Sequence, residues 1–162
     1  MTNLFDQASK FLSNEQKKLL WDTQAITKCP KPNHINDYSF LVSPMAKAYE
    51  GYLKDFFLKI GIIDQYNYTS DRFRVGKTLN PSLRYKRYSI FQKLTDLHPE
   101  GEPLAETLWD AWKYGRNEIF HYFPNNLKQL SLDEAQRRIN LILNAIIKSA
   151  QFVNKHSADF KS

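Results

Sequence analysis

The chain has 162 residues, a single cysteine and a formal net charge of +6. That length fits one domain able to bury about 70% of the surface its unfolded form exposes, so no covalent staple is needed, and the lone Cys29 excludes an internal disulfide. The longest apolar-rich stretch, Ile139 to Ile147, is too short to span a bilayer, and MTNLFDQASK has neither a basic lead-in nor a long apolar run, so a cytoplasmic protein with no membrane association is expected.

In chain order, residues 3 to 27 carry Phe5, Ala8, Phe11 or Leu12, Leu19 and Ile26 on a rough helical period, and Ser13 with Gln16 reads as a capping box that restarts the helix after a bend. Residues 28 to 37, KCPKPNHIND, are a loop by their prolines and Asn/Asp content. The next helix has Ser43 as N-cap, Pro44 in its first turn and Gly61 as its stop. Its apolar face is wide, and one carboxylate, Glu50, falls inside it, with Ala46, Leu53 and Phe57 as helical neighbours. A buried unpaired carboxylate is costly, so Glu50 must reach the rim or meet a cation or donor.

Residues 62 to 80 show no sustained helical period and predict an irregular excursion, with room for a short hairpin, ending at Asn80-Pro81. A helix is then expected from Pro81 to Leu97, burying Leu83, Ile90 and Leu94. After the HPEGEP break, Leu104, Leu108, Ala111, Gly115, Ile119 and Tyr122 step by three and four and predict one continuous amphipathic helix, stopped by Pro124. Ser131 and Glu134 form a capping box for a last helix ending near Asn154. The fold class is therefore all-α, a bundle of four or five helices. Residues 1 to 37 are expected to pack as a helix and linker on a bundle of residues 38 to 156, with residues 157 to 162 as a frayed tail.

The charge is localised. Between Gln65 and Lys93, Arg72, Arg74, Lys77, Arg84, Lys86, Arg87 and Lys93 face only Asp71, which places the whole surplus of +6 in that stretch. Tyr66, Tyr68, Phe73, Tyr85, Tyr88 and Phe91 are interleaved with these cations, a pattern suited to single-stranded nucleic acid, although the charges equally fit a solvated face and the aromatics a core.

No glycine-rich phosphate loop is present, and His34, His98, His121 and His156 lie far apart without metal-site spacing, so neither a metal nor a cofactor is expected. Cleavage of RNA needs none, because the 2′-hydroxyl is a built-in nucleophile. The protein then has to move protons, as a histidine does, and steady a charged phosphorane, as a guanidinium does. Arg116 and His121 supply that pair on one helix, with Asn117 one turn before His121.

R-N-E-I-F-H in an all-α domain of this size resembles the R-x4-6-H motif of the HEPN superfamily, with Asn in the favoured position after Arg. Together with SPMAKAYEGYLKDFF, the segment is most similar to the HEPN domain of bacterial RNase LS-type toxins, over residues 38 to 150. The resemblance implies a metal-independent endoribonuclease, homodimeric, with two motifs facing one cleft and a cognate antitoxin protein as partner. It assigns Arg116 and His121 to the motif ends, Asn117 to its polar second position and Glu50 to an acidic residue of the site. Tyr122 follows His121 directly and Phe123 comes second, unlike the HEPN toxins whose antitoxin is a nucleotidyltransferase.

The expected activity is thus cleavage of single-stranded RNA by a toxin of a toxin-antitoxin or phage-defence system, with Arg72, Arg74, Lys77, Arg84, Lys86 and Arg87 on the RNA backbone. Two rivals are a catalytically silent HEPN module that binds RNA or a protein, and a structural bundle in which Arg116 and Glu50 form a salt bridge. The large side chains Trp109, Trp112, Phe120 and Phe123 lie off the core stripe and predict a two-fold contact.

Overall fold

A computed structural model describes residues 3–32 and 34–158. All regular structure among them is helical, and no helix is long and apolar enough to cross a membrane. The order is α1 (Leu4–Ser9), α2 (Asn14–Lys28), α3 (Ser43–Lys59), α4 (Gln65–Thr69), α5 (Val75–Leu79), α6 (Ile90–Leu97), α7 (Gly101–Trp112), a π-helical turn (Lys113–Asn117), α8 (Glu118–Phe120) and α9 (Leu132–Lys155). Short 3-10 turns precede α3, follow α5 and follow α8.

The bend at Ser13 and its capping box are both present: Ser13 Oγ accepts from Gln16 N at 3.3 Å and Gln16 Oε1 accepts from Ser13 N at 3.0 Å. Gln16 Nε2 then donates to Asp55 on α3 at 2.6 Å, so the cap also locks α2 on α3. Three other boundaries differ from expectation. Ser43 is not the N-cap of α3, because a 3-10 turn at Ser39–Leu41 runs straight into the helix and Ser43 Oγ instead donates to Ser39 O at 3.3 Å. The stretch 62–80 is neither wholly irregular nor a hairpin; Asp64 caps α4, and α5 forms around the buried Val75 and Leu79. The expected helix from Pro81 is broken, since Asn80 and Ser89 each cap a separate turn and α6 begins only at Ile90.

Gly61 ends α3 one residue after Ile60, in the left-handed region at φ +73. Ser131 caps α9 through Glu134 N at 3.1 Å, but the Glu134 carboxylate turns to Arg137 and Arg138, so only half of that capping box exists.

One apolar cluster runs through α1, α2, α3, α5, α6, α7 and α9. Phe5, Ala8, Leu12 and Leu20 belong to it, so the N-terminal helices share the core of the bundle. Two tyrosines of α3 fix the register: Tyr49 Oη donates to Leu108 O on α7 at 3.0 Å, and Tyr52 Oη meets Ile146 O at 3.2 Å and Ser149 Oγ at 2.8 Å on α9. These bonds set the face of α3 that carries Glu50 against the end of α7. The tail positions 159 to 162 lie outside the described residues.

The loop after the Arg-His segment is held by one carboxylate. Asp37 accepts from Ser39 N and Oγ at 2.9 and 2.6 Å, from Leu130 N at 3.1 Å and from Asn126 Nδ2 at 3.2 Å. Partial burial works against the charged form, yet these donors win and hold the Asp37 carboxyl below its ordinary value. A depressed folded value means the contribution is present above the unfolded value and is lost as pH falls through the folded one. Asp37→Asn should therefore lower the melting temperature at neutral pH, and the difference from the parent chain should shrink as pH falls below about 4, read by thermal unfolding across that range.

Candidate functional site

The predicted continuous helix from 103 to 122 is interrupted. Its last turns form a π-helical segment in which Glu118 N bonds Lys113 O, one residue further back than in an α-helix. Two features of α9 explain this. A Cβ on Gly115 would stand 2.6 Å from Ile142 Cγ1 and 2.7 Å from its Cδ1, so the chain lies flush against α9 only because glycine occupies that position. Arg138 Nη1 donates to Tyr114 O at 3.1 Å and to Glu118 Oε2 at 3.2 Å, so a carbonyl within the π turn and the first carboxylate beyond it are both satisfied from outside the helix. Lys128 also pairs with Glu118, whose side chain is 10% exposed. Sequence reasoning passed over Glu118 and Arg138; the signal was a carboxylate inside the motif itself.

The inserted residue turns the following side chains away from the core stripe. Ile119 is only half-buried and Tyr122, expected on that stripe, is 79% exposed. The helix stops at Phe120, leaving His121 in extended geometry at φ −107, ψ 128. Trp112, expected at a two-fold contact, is 4% exposed, seated where a Cβ on Gly76 of α5 would come within 2.5 Å of its Nε1. Trp109 and Phe123 are half-buried, which leaves Phe120 as the one exposed member of the four.

The structure makes two pairs of the four central residues. Arg116 Nε and Nη2 both approach Oε2 of Glu50 at 3.3 Å, so Glu50 resolves its place in the apolar stripe by meeting a cation. The guanidinium lies 5.0 Å from the Trp112 ring and 5.4 Å from the Phe120 ring, contacts that hold its plane. Asn117 Oδ1 and His121 Nε2 are 3.1 Å apart, as the spacing of four predicts. No hydrogen bond or ion pair links the two pairs among the described residues.

Beside Arg116 opens a cleft of about 450 Å³, walled by Leu19 and Asp22 of α2, Pro44, Lys47 and Glu50 of α3, and Phe120. Its lining combines apolar walls with two cations, Lys47 and Arg116, and two carboxylates, Asp22 and Glu50. The α2 wall could not be read from sequence, because Leu19 is half-exposed and marked only a helical period.

The basic stretch divides. Arg84 is engaged within the fold, donating to Gln92 at 2.9 Å and to Glu102 at 2.8 Å, with its guanidinium 5.1 Å from the Phe91 ring. Arg74 bonds the carbonyls of Asp71 and Phe73. Arg84 is half-buried, whereas Arg74 is exposed. Arg72, Lys77, Lys86 and Arg87 are exposed, as are Tyr66, Tyr85 and Tyr88, and Lys77 and Lys86 sit 4.9 and 4.7 Å from the rings of Tyr88 and Tyr85. Charge reversal at Arg84 should accordingly lower the melting temperature, while reversal at Arg72, Lys86 and Arg87 should leave it unchanged, measured by thermal unfolding.

Histidines far apart in sequence do meet, contrary to the reading from spacing. His98, Glu100 and His156 each bring one donor atom within 4.8 Å of the others. No family model, curated protein or solved structure matches the chain.

Proposed function

We propose that the chain is an endoribonuclease of the HEPN type, cleaving single-stranded RNA by attack of a ribose 2′-hydroxyl on the adjacent phosphorus. The reading rests on the R-N-E-I-F-H segment, and one observation carries it: Arg116 is forked onto a single oxygen of Glu50, braced by Trp112 and Phe120 at a cleft, with the Asn117 and His121 pair directly after it. The fork leaves Arg116 Nη1 without a partner among the described residues, and that nitrogen is the donor for a phosphate oxygen.

In the proposed reaction, the O2′ to phosphorus bond forms while the hydroxyl proton passes to His121, and the bond from phosphorus to O5′ breaks as O5′ takes up a proton. With Asn117 Oδ1 accepting, His121 carries its own proton on Nε2 and offers Nδ1 as the base. Arg116 balances charge on the phosphorane, and Glu50 fixes the guanidinium. A second copy of the chain, meeting at the exposed Phe120 and Tyr122, would supply the imidazolium that protonates O5′. Such an enzyme acts as a toxin in a toxin-antitoxin or phage-defence system, restrained by an antitoxin protein.

A second reading has an observation of its own. The Arg116 and Glu50 ion pair is what a structural bundle without activity would also contain. The substrate separates the two. The purified chain should cut single-stranded RNA in excess chelator, leaving a cyclic phosphate, and should spare a site whose 5′ ribose lacks the 2′-hydroxyl. Cutting of the deoxy-substituted site, or activity that needs magnesium, would sink the proposed chemistry. No cutting of any single-stranded RNA would leave the structural bundle.

A further inference from the structure

Away from the Arg-His segment, three elements converge on one point. His98 caps the C-terminal end of α6, His156 caps that of α9, and Glu100 stands in the turn between α6 and α7. Glu100 Oε2 and His156 Nε2 are 3.4 Å apart, the two imidazole centroids are 3.8 Å apart, and Phe152 packs against both rings at 5.6 and 4.9 Å. The turn itself is tight. Gly101 N donates to His98 O at 2.8 Å, and a Cβ on Gly101 would fall 1.8 Å from Leu94 O, so the spacing of His98 and Glu100 is fixed by backbone rather than by flexible side chains.

We propose that His98, Glu100 and His156 form a transition-metal site that takes zinc and fastens the end of α9 to the turn between α6 and α7. Two imidazoles and a carboxylate are a donor set zinc prefers and magnesium does not. One edge of the site already has the required spacing. Ligand atoms at about 2.1 Å from a tetrahedral ion stand about 3.4 Å from each other, the separation of Glu100 Oε2 from His156 Nε2. Closing His98 onto the same ion needs its ring to swing away from His156, because the three donor atoms now lie within 4.8 Å of one another and two imidazoles on one tetrahedral ion have centroids about 5 Å apart rather than 3.8 Å; the swing exchanges the bond that its Nδ1 now accepts from Glu100 N at 3.0 Å.

His98 and His156 are the C-caps of α6 and α9, helix ends that favour a cation, while Glu100 is the N-cap of α7, whose dipole opposes one, so the donor set rather than the helix dipoles carries the site. Lys155 holds the other oxygen of Glu100 at 2.6 Å, which keeps that carboxylate ionised and leaves Oε2 toward His156. Glu100 is 51% exposed, so water has access to complete the coordination sphere.

The experiment uses the untagged chain, treated with chelator and then freed of it, with zinc chloride or magnesium chloride as the probe. Zinc in modest excess should raise the melting temperature by about 5 °C or more, as a ligand present well above its dissociation constant does, while magnesium leaves it unchanged. Cobalt in place of zinc should give the visible absorption of a four-coordinate ion. His156→Gln and Glu100→Gln should each abolish the zinc shift, the latter in a chain whose fold is undisturbed because its side chain is half-exposed. His34→Gln and His121→Gln should keep it. No shift in the parent chain, or an equal shift in Glu100→Gln, overturns the proposal. The readout is stability, so the result stands apart from the ribonuclease reading.

Discussion

On the proposed ribonuclease reading, His121→Ala should lower RNA cleavage by at least about a hundredfold while leaving the fold intact, because general acid-base catalysis by one group contributes about 10²- to 10⁴-fold. His121 is exposed, lies beyond the end of α8 and bonds only Asn117, so its removal opens no cavity. Arg116→Ala should cost a comparable factor, about 10²- to 10³-fold, by removing charge stabilisation from the phosphorane. Its effect on stability is expected to be small, since the side chains of Arg116 and Glu50 are 30% and 37% exposed and solvent screens the pair to at most about 1 kcal/mol. Arg116→Lys sharpens the test. It keeps the charge and loses the fork, so a catalytic clamp should fail while a simple ion pair should survive. The measurements are cleavage rate and thermal unfolding on the same preparations; a variant of Arg116 that unfolds, with cleavage falling only in proportion to the folded fraction, would assign the residue to structure.

The second large effect is expected at Gly115. On intrinsic preference alone, alanine would stabilise a helix interior by up to about 1 kcal/mol relative to glycine. Here packing decides the sign. The added methyl would meet Ile142, which is fully buried and has nowhere to retreat, at 2.6 Å. Overpacking of this kind costs about 1 to 3 kcal/mol, so Gly115→Ala should lower the melting temperature by several degrees and displace the adjoining Arg116, with loss of cleavage. Combining it with Ile142→Ala removes the clash, so the two changes should be markedly less than additive in a double-mutant cycle. Additive losses would mean that the π turn does not depend on this contact.

Much of the fold is legible in local sequence because its causes are local. The helical periods of α3 and α9, the caps at Ser13 and Ser131 and the stop at Gly61 each depend on residues within a turn or two of one another. The Asn117 and His121 contact is local too, although His121 makes it from extended geometry just past the helix end. Where competing caps were close in sequence, as between Asn80 and Ser89, the period alone could not say which turn would prevail.

Tertiary structure alone decided the rest, and in each case the cause lies on another element. The π turn exists because Ile142 and Arg138 of α9 press on and satisfy it, which no periodicity within residues 103 to 122 contains. Glu50 carried a conflict, a carboxylate on an apolar face, and sequence could state that it needed a partner; only the docking of α3 on α7 through Tyr49 brought it to Arg116. Trp112 carried the opposite ambiguity, and the small Gly76 of α5 drew it inside. His98 and His156 had no local signal at all, because their meeting depends on where two separate helices end. A sequence records what each residue needs, whereas the packing of distant helices determines which neighbour supplies it.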